Sequence, residues 1–178
     1  MNKNLLILGA GGHGRVVKET AVAMGYFNKI NFLDNQSELS IGKCEDIRQF
    51  YNNYSIAFAA FGDNEQRMKW IEELIEIGFQ LPILNHPNAY VSPLARIEVG
   101  SIVCAKAVIN TNAVIEKGSI ISIGALVDHD CFIGEFSHIN SGTIVKVGCR
   151  IDRLKKVDAG MVYSNKNILD NYRFEVGV

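Results

Sequence analysis

This 178-residue chain has no excess of basic residues and no long apolar run. Eighteen Lys and Arg against nineteen Asp and Glu give a net charge near −1, which offers no support for a nucleic-acid or polybasic membrane role. No apolar run reaches membrane-spanning length, and no n-region with a cleavage site marks a signal peptide. The expectation is a cytoplasmic protein without nucleic-acid partners or membrane insertion.

Cysteine pairs with metal-binding spacing are also missing, so no metal site is predicted. The four cysteines are Cys44, Cys104, Cys131 and Cys149. Cys131 and Cys149 are eighteen residues apart and are expected to stack on successive turns of a repeat. They are interpreted as reduced, buried packing residues, since a disulfide between them, although geometrically feasible, is disfavoured in the cytosol.

Proline is scarce, and its three occurrences fall together. Pro82, Pro87 and Pro93 punctuate the middle of the chain. They predict a connection between two domains, residues 1–84 and 85–178. His86 lies in this connection and is interpreted as a structural linker residue.

The second domain carries a strict repeat of six residues. A helix cannot use this period, because its apolar residues would drift off any one face, whereas a β-helix places one hexapeptide on each side of a triangular coil. A β-sandwich is the alternative, but it needs no strict period. The prediction is a left-handed parallel β-helix of about four coils. The aliphatic series is Val91, Ile97, Val103, Ile109, Ile115, Ile121, Val127, Ile133, Ile139, Val145, Ile151 and Val157.

The end of the repeat is expected to be irregular. Residues 154–156, Leu-Lys-Lys, break the pattern, and one further hexad, 157–162, follows. Residues 163–178 are polar and predict a C-terminal cap or tail.

The first domain begins with a β-α-β pattern around a glycine-rich turn. The predicted elements are a strand over 4–10, a helix over 15–24 and a strand over 30–33. Gly9, Gly11 and Gly14 satisfy the dinucleotide fingerprint, and Asp34 follows Gly14 by twenty residues, where an acid binds a ribose hydroxyl. The pattern predicts a small Rossmann-like domain.

This α/β region is too short for a complete dinucleotide fold. A strand over 55–61, a glycine at position 62 and a helix over 65–77 complete it near Leu84, which leaves room for one mononucleotide-binding half. A nucleotide or nucleotide-sugar therefore fits better than NAD, and a tight turn without ligand is the remaining alternative. Gly14, Asp34 and Gly62 are expected to converge at the carboxyl ends of the strands.

Two histidines interrupt the small or apolar pattern of the repeat. Asp128 and Asp130 flank His129, and nine residues later comes His138. A carboxylate beside an imidazole orients it and raises its basicity, which suits a general base. The alternative is a pair of surface histidines on a β-helix wall. Metal binding is less favoured because no third ligand has useful spacing.

The glycine turn over 9–14 and the segment Asp128-His129-Asp130-Cys131-Phe132-Ile133-Gly134-Glu135-Phe136-Ser137-His138-Ile139 together resemble the sialic-acid-type and UDP-bacillosamine-type sugar acetyltransferases. These belong to the hexapeptide-repeat acyltransferase superfamily, whose members take an acyl group from a CoA or carrier-protein thioester. The resemblance covers Leu5 to about Ser141. It implies a homotrimer with active sites between neighbouring β-helices.

The resemblance also implies roles for individual residues. His129 would be the general base, supported by Asp130. His138 would hydrogen-bond the thioester end of acetyl-CoA, and Gly160 would match a glycine that contacts CoA. The UDP-sugar would be held by Gly11, Gly12, His13, Asp34, Asn35 and Gly62.

After Gly142 the chain departs from the family pattern. The usual extra coil, a Gly-Val-Pro-Ala segment and a basic tail are replaced by residues 150–156 and a short end. Three hypotheses follow: N-acetylation of a UDP-4-amino-sugar by direct attack on acetyl-CoA, O-acetylation of a sialic-acid-like sugar, and a nucleotide-sugar-binding subunit with an incomplete CoA site. An NAD oxidoreductase is a distant fourth.

Overall fold

A parallel three-stranded sheet flanked by helices forms the first part of the molecule. The computed structural model describes residues 3–164. The strand order is β2-β1-β3, with Leu5 paired to Ile30 on one side and Ile56 on the other. The elements are β1 (Asn4–Leu8), α1 (Gly12–Ala23), β2 (Lys29–Leu33), a 3₁₀ turn (Cys44–Asp46), α2 (Ile47–Phe50), β3 (Ile56–Ala59) and α3 (Asn64–Ile77).

Helix α1 begins three residues earlier than the sequence pattern predicts. Gly9, with φ +96°, ends the strand and turns the chain, and Gly11 is the residue before the first helical turn. A Cβ on Gly14 would lie 2.1 Å from the carbonyl oxygen of Gly9. The helix therefore packs on the end of β1 at a distance that only glycine allows at position 14.

The second part is a parallel β-helix of two-residue strands. Its strands form three flat faces: the first face (β4, β7, β10, β13, β16), the second face (β5, β8, β11, β14, β17) and the third face (β6, β9, β12, β15). The strands are β4 (Leu84–Asn85), β5 (Tyr90–Val91), β6 (Arg96–Ile97), β7 (Ile102–Val103), β8 (Val108–Ile109), β9 (Val114–Ile115), β10 (Ile120–Ile121), β11 (Leu126–Val127), β12 (Phe132–Ile133), β13 (His138–Ile139), β14 (Ile144–Val145), β15 (Arg150–Ile151), β16 (Lys156–Val157) and β17 (Val162–Tyr163).

The period-six aliphatics fill the interior as predicted. From Val103 to Ile151 each of them is at most 1% exposed. Each strand pairs with the strand eighteen residues away, so that the aliphatics stack in three columns inside the prism. The predicted stacking of Cys131 on Cys149 also occurs, since the neighbouring Phe132 pairs with Arg150 and both thiols are buried.

A second period of six governs the turns. Every sixth residue from Gly100 to Gly160 has a φ between 56° and 71°. Most of these positions are glycine, but the backbone also adopts this left-handed conformation at five residues with side chains: Lys106, Asn112, Asp130, Phe136 and Leu154. Each non-glycine residue there costs about 1–2 kcal/mol, which the surrounding ladder must offset.

The β-helix extends further at both ends than the sequence pattern indicates. Strand β4 adds a first coil, which contains His86. The sequence pattern does not indicate this coil, because Asn85 stands where an aliphatic residue is expected. At the other end, β15 and β16 are regular, which corrects the expected irregularity over 150–156. Lys155 does not disturb its coil, because its side chain is exposed to solvent. Tyr163 lies in β17 and not in a tail. The predicted cap or tail beyond Ser164 lies outside the described residues.

The α/β part covers the first face. The outward residues Leu84, Ile102 and Ile120 are at most 1% exposed, and they share one hydrophobic cluster with Leu5 and Val17. His138 continues this outward row, next to Ile120 on one side and Lys156 on the other. In the first face a single imidazole therefore lies between the covered aliphatic residues of this row and the exposed Lys156 at its end.

The second face is apolar and open. Its outward row is Tyr90, Val108, Leu126, Ile144 and Val162. Tyr90 is 56% exposed and Val162 53%, and Leu126 and Ile144 are each 39% exposed. A contiguous apolar patch of this kind marks a surface for contact with another protein.

Candidate functional site

A cavity of about 310 Å³ lies between α1 and the first face of the β-helix. It is built where the start of α1 meets β4, β7, β10 and β13, so that both parts of the chain contribute to it. Its walls combine aliphatic side chains with three of the four histidines of the chain. The lining residues are His13, Val16, Glu19, Thr20, His86, Cys104, Ala105, Ser122, Ile123, His138, Asn140 and Ser141.

His138 presents a neutral imidazole to this cavity. Its side chain is nearly buried, with Nε2 3.0 Å from the hydroxyl oxygen of Ser122. Burial, and next the charge of Arg67, lower its pKa from 6.5 to about 4. The backbone of Gly62 lies close enough to favour the charged ring, yet Nδ1 completes no hydrogen bond with any of residues 3–164. Nδ1 is thus a buried polar atom without a partner in that range.

His13 faces His138 from the first turn of α1. Their ring centroids are 6.4 Å apart. Burial, followed by the charge of His138 and then of Arg67, lowers the pKa of His13 to about 4. Its Nε2 has no partner within the described part of the chain. Because buried polar groups in proteins are normally hydrogen-bonded, two unpartnered imidazole nitrogens on residues that line one cavity indicate a binding site.

His129 and Asp130 form a close pair on a different edge of the prism. Nδ1 of His129 donates to a carboxylate oxygen of Asp130 at 2.7 Å, which leaves Nε2 as the proton-accepting nitrogen. This bond raises the pKa of His129 and lowers that of Asp130. Asp130 occupies a left-handed turn position, where the side-chain amide of Asn112 also donates to it at 3.1 Å. The pair has the geometry of a general base with an orienting acid.

The structure does not bring His129 into the cavity of its own chain. His129 lies at the corner between β11 and β12, hence between the second and third faces. His138 lies in the middle of the first face, half of an eighteen-residue coil away. Half a coil leads from one edge of the prism to the opposite side, so the two imidazoles point in different directions.

The residues predicted to hold a nucleotide-sugar cluster at the carboxyl ends of the strands. Asp34 fastens the glycine turn: one carboxylate oxygen accepts from the amide of Ala10 at 2.8 Å, and the other accepts from the amides of Gln36 and Ser37. These backbone bonds lower the pKa of Asp34. Asn35 accepts from the amide of Cys44 and donates to Glu45. Both side chains thus organise the loop after β2.

Three glycines of the predicted site have open space beside them. A Cβ at Gly11, Gly12 or Gly62 would meet no atom within 4 Å. Packing within the chain requires glycine at position 14, but it does not require glycine at these three positions. Gly11 and Gly12 open α1, where the first amides of a helix have no partners inside it and favour an anion. Open glycines at such a terminus suit a phosphate that approaches the backbone.

Gly160 lies on the same edge of the prism as the cavity. Its amide donates to the carbonyl of Ser141, a lining residue, and it occupies an exposed left-handed turn. The predicted CoA-contacting glycine and the predicted thioester-binding His138 are therefore on connected surfaces.

Several residues around the cavity escape sequence reasoning. The sequence predicts His86 to be a structural linker residue, but it lines the cavity, and its Nδ1 accepts from the amide of Asn88. Arg67 is fully buried in α3 beside Asn64. A polar pair on the same helical stripe as Ile71 and Leu74 is the signal that the sequence offers for it.

Neither a metal-binding cluster nor a membrane-spanning helix occurs in the described part of the chain. Residues 3–164 contain no group of three or more His, Cys, Asp or Glu side chains that could hold a metal ion. Over the same range, no helix has the length and apolarity that a membrane crossing requires.

Residues 4–74 match the family model described as PglD N-terminal domain. Over its length the chain is similar to the acetyltransferase domain of PglB from Neisseria gonorrhoeae FA1090, with 36% identity, a TM-score of 0.86, and coverage of 89% of this chain and 81% of that one. The same domain in complex with acetyl coenzyme A matches at 33% identity and a TM-score of 0.81, covering 92% of each chain.

A second enzyme gives a comparable match. A mutant of the GDP-perosamine N-acetyltransferase from Caulobacter crescentus, in complex with CoA and GDP-perosamine, is 29% identical, with a TM-score of 0.78 and coverage of 90% of this chain and 88% of that one. The matches confirm a small α/β region followed by a left-handed parallel β-helix.

Proposed function

The chain belongs to the sugar acetyltransferases of the hexapeptide-repeat superfamily, and from that membership we propose that it N-acetylates a nucleotide-linked amino sugar. The acetyl donor is acetyl-CoA, as in the relatives solved with acetyl-CoA or CoA. The finer proposal is a UDP-4-amino-sugar as acceptor and His129 as general base. The observation that carries it is the 2.7 Å pair of His129 and Asp130 on the wall of the β-helix.

The pair supplies what amide formation needs. An amine that attacks a thioester must lose a proton, and Nε2 of His129 accepts it while Nδ1 stays bonded to Asp130. The carboxylate raises the pKa of His129, so that the ring accepts the proton more readily and its charged form is stabilised. A general base of this kind contributes about 10²- to 10⁴-fold to the rate. The acetyl group passes directly to the acceptor, without a covalent enzyme intermediate: the C–N bond forms, the C–S bond of the thioester breaks, and the CoA thiolate leaves and takes up a proton to give the free thiol.

The cavity fits the acetyl end of the donor. His138 is kept neutral by burial, and its Nε2, beside the cavity-lining Ser122, is a donor or acceptor according to the tautomer. A neutral imidazole of this kind, with N–H directed at the thioester carbonyl, would hold the donor and stabilise the charge that develops on its oxygen. Gly160, on the connected edge, would contact the CoA arm.

The glycine turn fits the nucleotide diphosphate. Gly11 and Gly12 allow a phosphate to approach the first amides of α1, and His13 adds an unpartnered Nε2. Asp34 and Asn35 hold the loop that would contact the ribose and base. Gly62, open on the neighbouring strand end, completes the crevice. The GDP-sugar in the Caulobacter relative shows that this fold holds a nucleotide other than UDP, so the base is the finer part of the proposal.

A homotrimer would assemble the two halves of the site. In one chain His129 and the cavity lie on opposite sides of the prism, and the second face lies between their edges. That face carries the open apolar row from Tyr90 to Val162. Another copy packed on this row buries it and places an edge of one prism beside the neighbour's cavity. The active site is then shared between subunits, each supplying one half.

The test combines an acceptor panel with two variants. UDP- and GDP-linked amino sugars, matched hydroxyl-only sugars and acetyl-CoA are assayed for release of CoA thiol and for acetylated product by mass spectrometry. The wild type is expected to acetylate a UDP-linked amine. His129→Ala is expected to lower kcat by about 10²- to 10⁴-fold without changing the oligomeric state.

The pH profile separates a base from a structural residue. Because Asp130 raises the pKa of His129, Asp130→Asn is expected to move the acid limb of kcat/KM to lower pH while reducing the rate above it. A native rate in His129→Ala would refute the role of His129. Transfer to hydroxyl-only sugars alone would favour an O-acetyltransferase. UDP-sugar binding without detectable acetyl-CoA binding at millimolar ligand would favour the binding-subunit hypothesis.

A further inference from the structure

Arg67 is a fully buried cation, and no carboxylate among residues 3–164 is in direct contact with it. Its side chain is 0% exposed, and burial lowers its pKa to about 10. An arginine in such a place is strongly destabilising unless every N–H is hydrogen-bonded. Here all of its polar atoms have partners, and nearly all of these are backbone carbonyls.

These partners belong to three separate segments of the chain. Nη1 donates to the carbonyl of Phe61 at 2.9 Å and to that of Asp63 at 3.4 Å, on either side of Gly62. Nε donates to the carbonyl of Gly118 at 2.7 Å, on one coil of the β-helix. Nη2 reaches the next coil, where it donates to the carbonyl of Phe136 at 2.6 Å.

The last of these segments leads directly into His138. Phe136 is buried and holds a left-handed turn with φ +57°, a conformation that costs about 1–2 kcal/mol for a residue with a side chain. Nη2 also lies 3.4 Å from the carbonyl of Ser137, and the amide side chain of Asn64 accepts from it at 2.8 Å. The guanidinium therefore holds the strained turn from which the imidazole of His138 projects.

We propose that Arg67 is the positioning residue of the acetyl-transfer site: its guanidinium fixes the Gly62 loop, on the nucleotide-sugar side, relative to the turn that presents His138 on the acetyl-donor side. The planar fork is required because one group must span two coils and a loop, which the single ammonium of a lysine cannot do. The inference rests on the proposed function for the identity of the two ligands.

The charge of Arg67 has a second effect on the same cavity. It lowers the pKa of both His138 and His13, and so helps to keep both rings neutral near pH 7. Within residues 3–164, the other titratable groups at the cavity or in the outward row of the first face are Glu19 on α1, His86 after β4, Cys104 after β7 and Lys156 on β16. Lys156 lowers the pKa of His138 as Arg67 does, and Asp63 acts on Arg67 itself.

Two substitutions separate position from charge. Arg67→Lys keeps the charge but cannot reach all three segments, whereas Arg67→Met removes the charge as well. Arg48→Met is the matched control, since Arg48 is exposed and its ion pairs within the described range are with Glu73 and Glu76 on the surface. Each protein is checked for oligomeric state. Acetyl-CoA and UDP affinities are then measured by calorimetry, kinetic constants by CoA release, and imidazole titrations by NMR.

Both Arg67 variants are expected to lose about 100-fold in kcat/KM, because displacements of about 1 Å have effects of that size. Only Arg67→Met is expected to raise the pKa of His138 towards 6.5, while Arg67→Lys leaves it low. The control should behave as the wild type in every measurement. Native kcat/KM in Arg67→Lys, or an unchanged titration of His138 in Arg67→Met, would overturn the proposal.

A graded variant keeps the test decisive if Arg67→Met does not fold. Asn64→Ser removes one partner of Nη2 and leaves the guanidinium in place, so that KM for both substrates should rise several-fold with no change in the titration of His138. Unchanged KM values would contradict the proposal. The calorimetry and titrations need no acceptor sugar. Failure of the wild type to acetylate amino sugars would therefore refute the proposed function and leave the role of Arg67 to be judged separately.

Discussion

Acidification is expected to destabilise this protein well above the pH at which its carboxylates titrate. His13 and His138 have pKa values lowered from 6.5 to about 4 in the folded state, mainly by burial. The unfolded chain therefore takes up protons that the folded chain refuses. Stability is full above pH 6.5 and falls as the pH drops from 6.5 towards 4. His129 acts in the opposite direction, since its folded pKa is raised.

The size of the effect follows from the width of this window. At pH 4.5 each imidazole is about two pH units below its unfolded pKa, and one unit corresponds to about 1.4 kcal/mol. Each group thus removes about 2–3 kcal/mol from the free energy of unfolding. The pair removes up to about 5 kcal/mol, a large part of the 5–15 kcal/mol typical of a domain.

Urea denaturation at pH 7 and pH 4.5, at one fixed protomer concentration, measures this loss. His138→Gln removes one of the two groups and should reduce the loss by about 2–3 kcal/mol. His129→Gln is the control, because its exposed ring makes no such contribution, and its loss should not be smaller than that of the wild type. A wild-type loss below about 1 kcal/mol, or an equal loss in His138→Gln, would refute the reasoning.

Two further predictions concern packing and assembly. Gly14→Ala places a methyl group against the carbonyl of Gly9 and should destabilise the fold by at least about 2 kcal/mol, as measured by thermal denaturation. Gly12→Ala places a methyl group in open space and should change stability by less than about 0.5 kcal/mol. Gly12→Ala should also weaken UDP binding, as measured by calorimetry. If the proposed homotrimer packs on the second face, Leu126→Glu should dissociate it in sedimentation, and Ile41→Glu, a similarly exposed site in the α/β part, should not. A stable Gly14→Ala variant, or a trimeric Leu126→Glu variant, would contradict the respective prediction.

The sequence predicts the β-helix well because its interior is a one-dimensional pattern. An aliphatic side chain every six residues has one efficient way to be buried, and the structure confirms it from Val91 onward. The first coil is not predicted, since Asn85 replaces the aliphatic and two prolines surround it. The left-handed turns are also hidden, because Asp130 and Phe136 adopt a conformation that glycine usually marks.

The candidate site is only partly predictable for a different reason. His129 and Asp130 are adjacent in the chain, so their side chains can be expected to meet without knowledge of the tertiary structure. The contacts of Arg67 join residues 51 and 69 positions away, and no local pattern encodes such distances. The cavity likewise needs α1 to lie across the first face, which depends on the tertiary packing of two different architectures.

The eighteen-residue coil also limits how this chain can change its length. Inserting six residues before β13 would rotate everything downstream by one side of the triangle and move His138 out from under α1. Inserting a whole coil would preserve its direction but shift it along the prism by about 4.8 Å, away from the helix that completes the cavity. Deletions and duplications are therefore tolerated only beyond the last coil that the helices touch, where extra turns lengthen the prism and leave the chemistry in place.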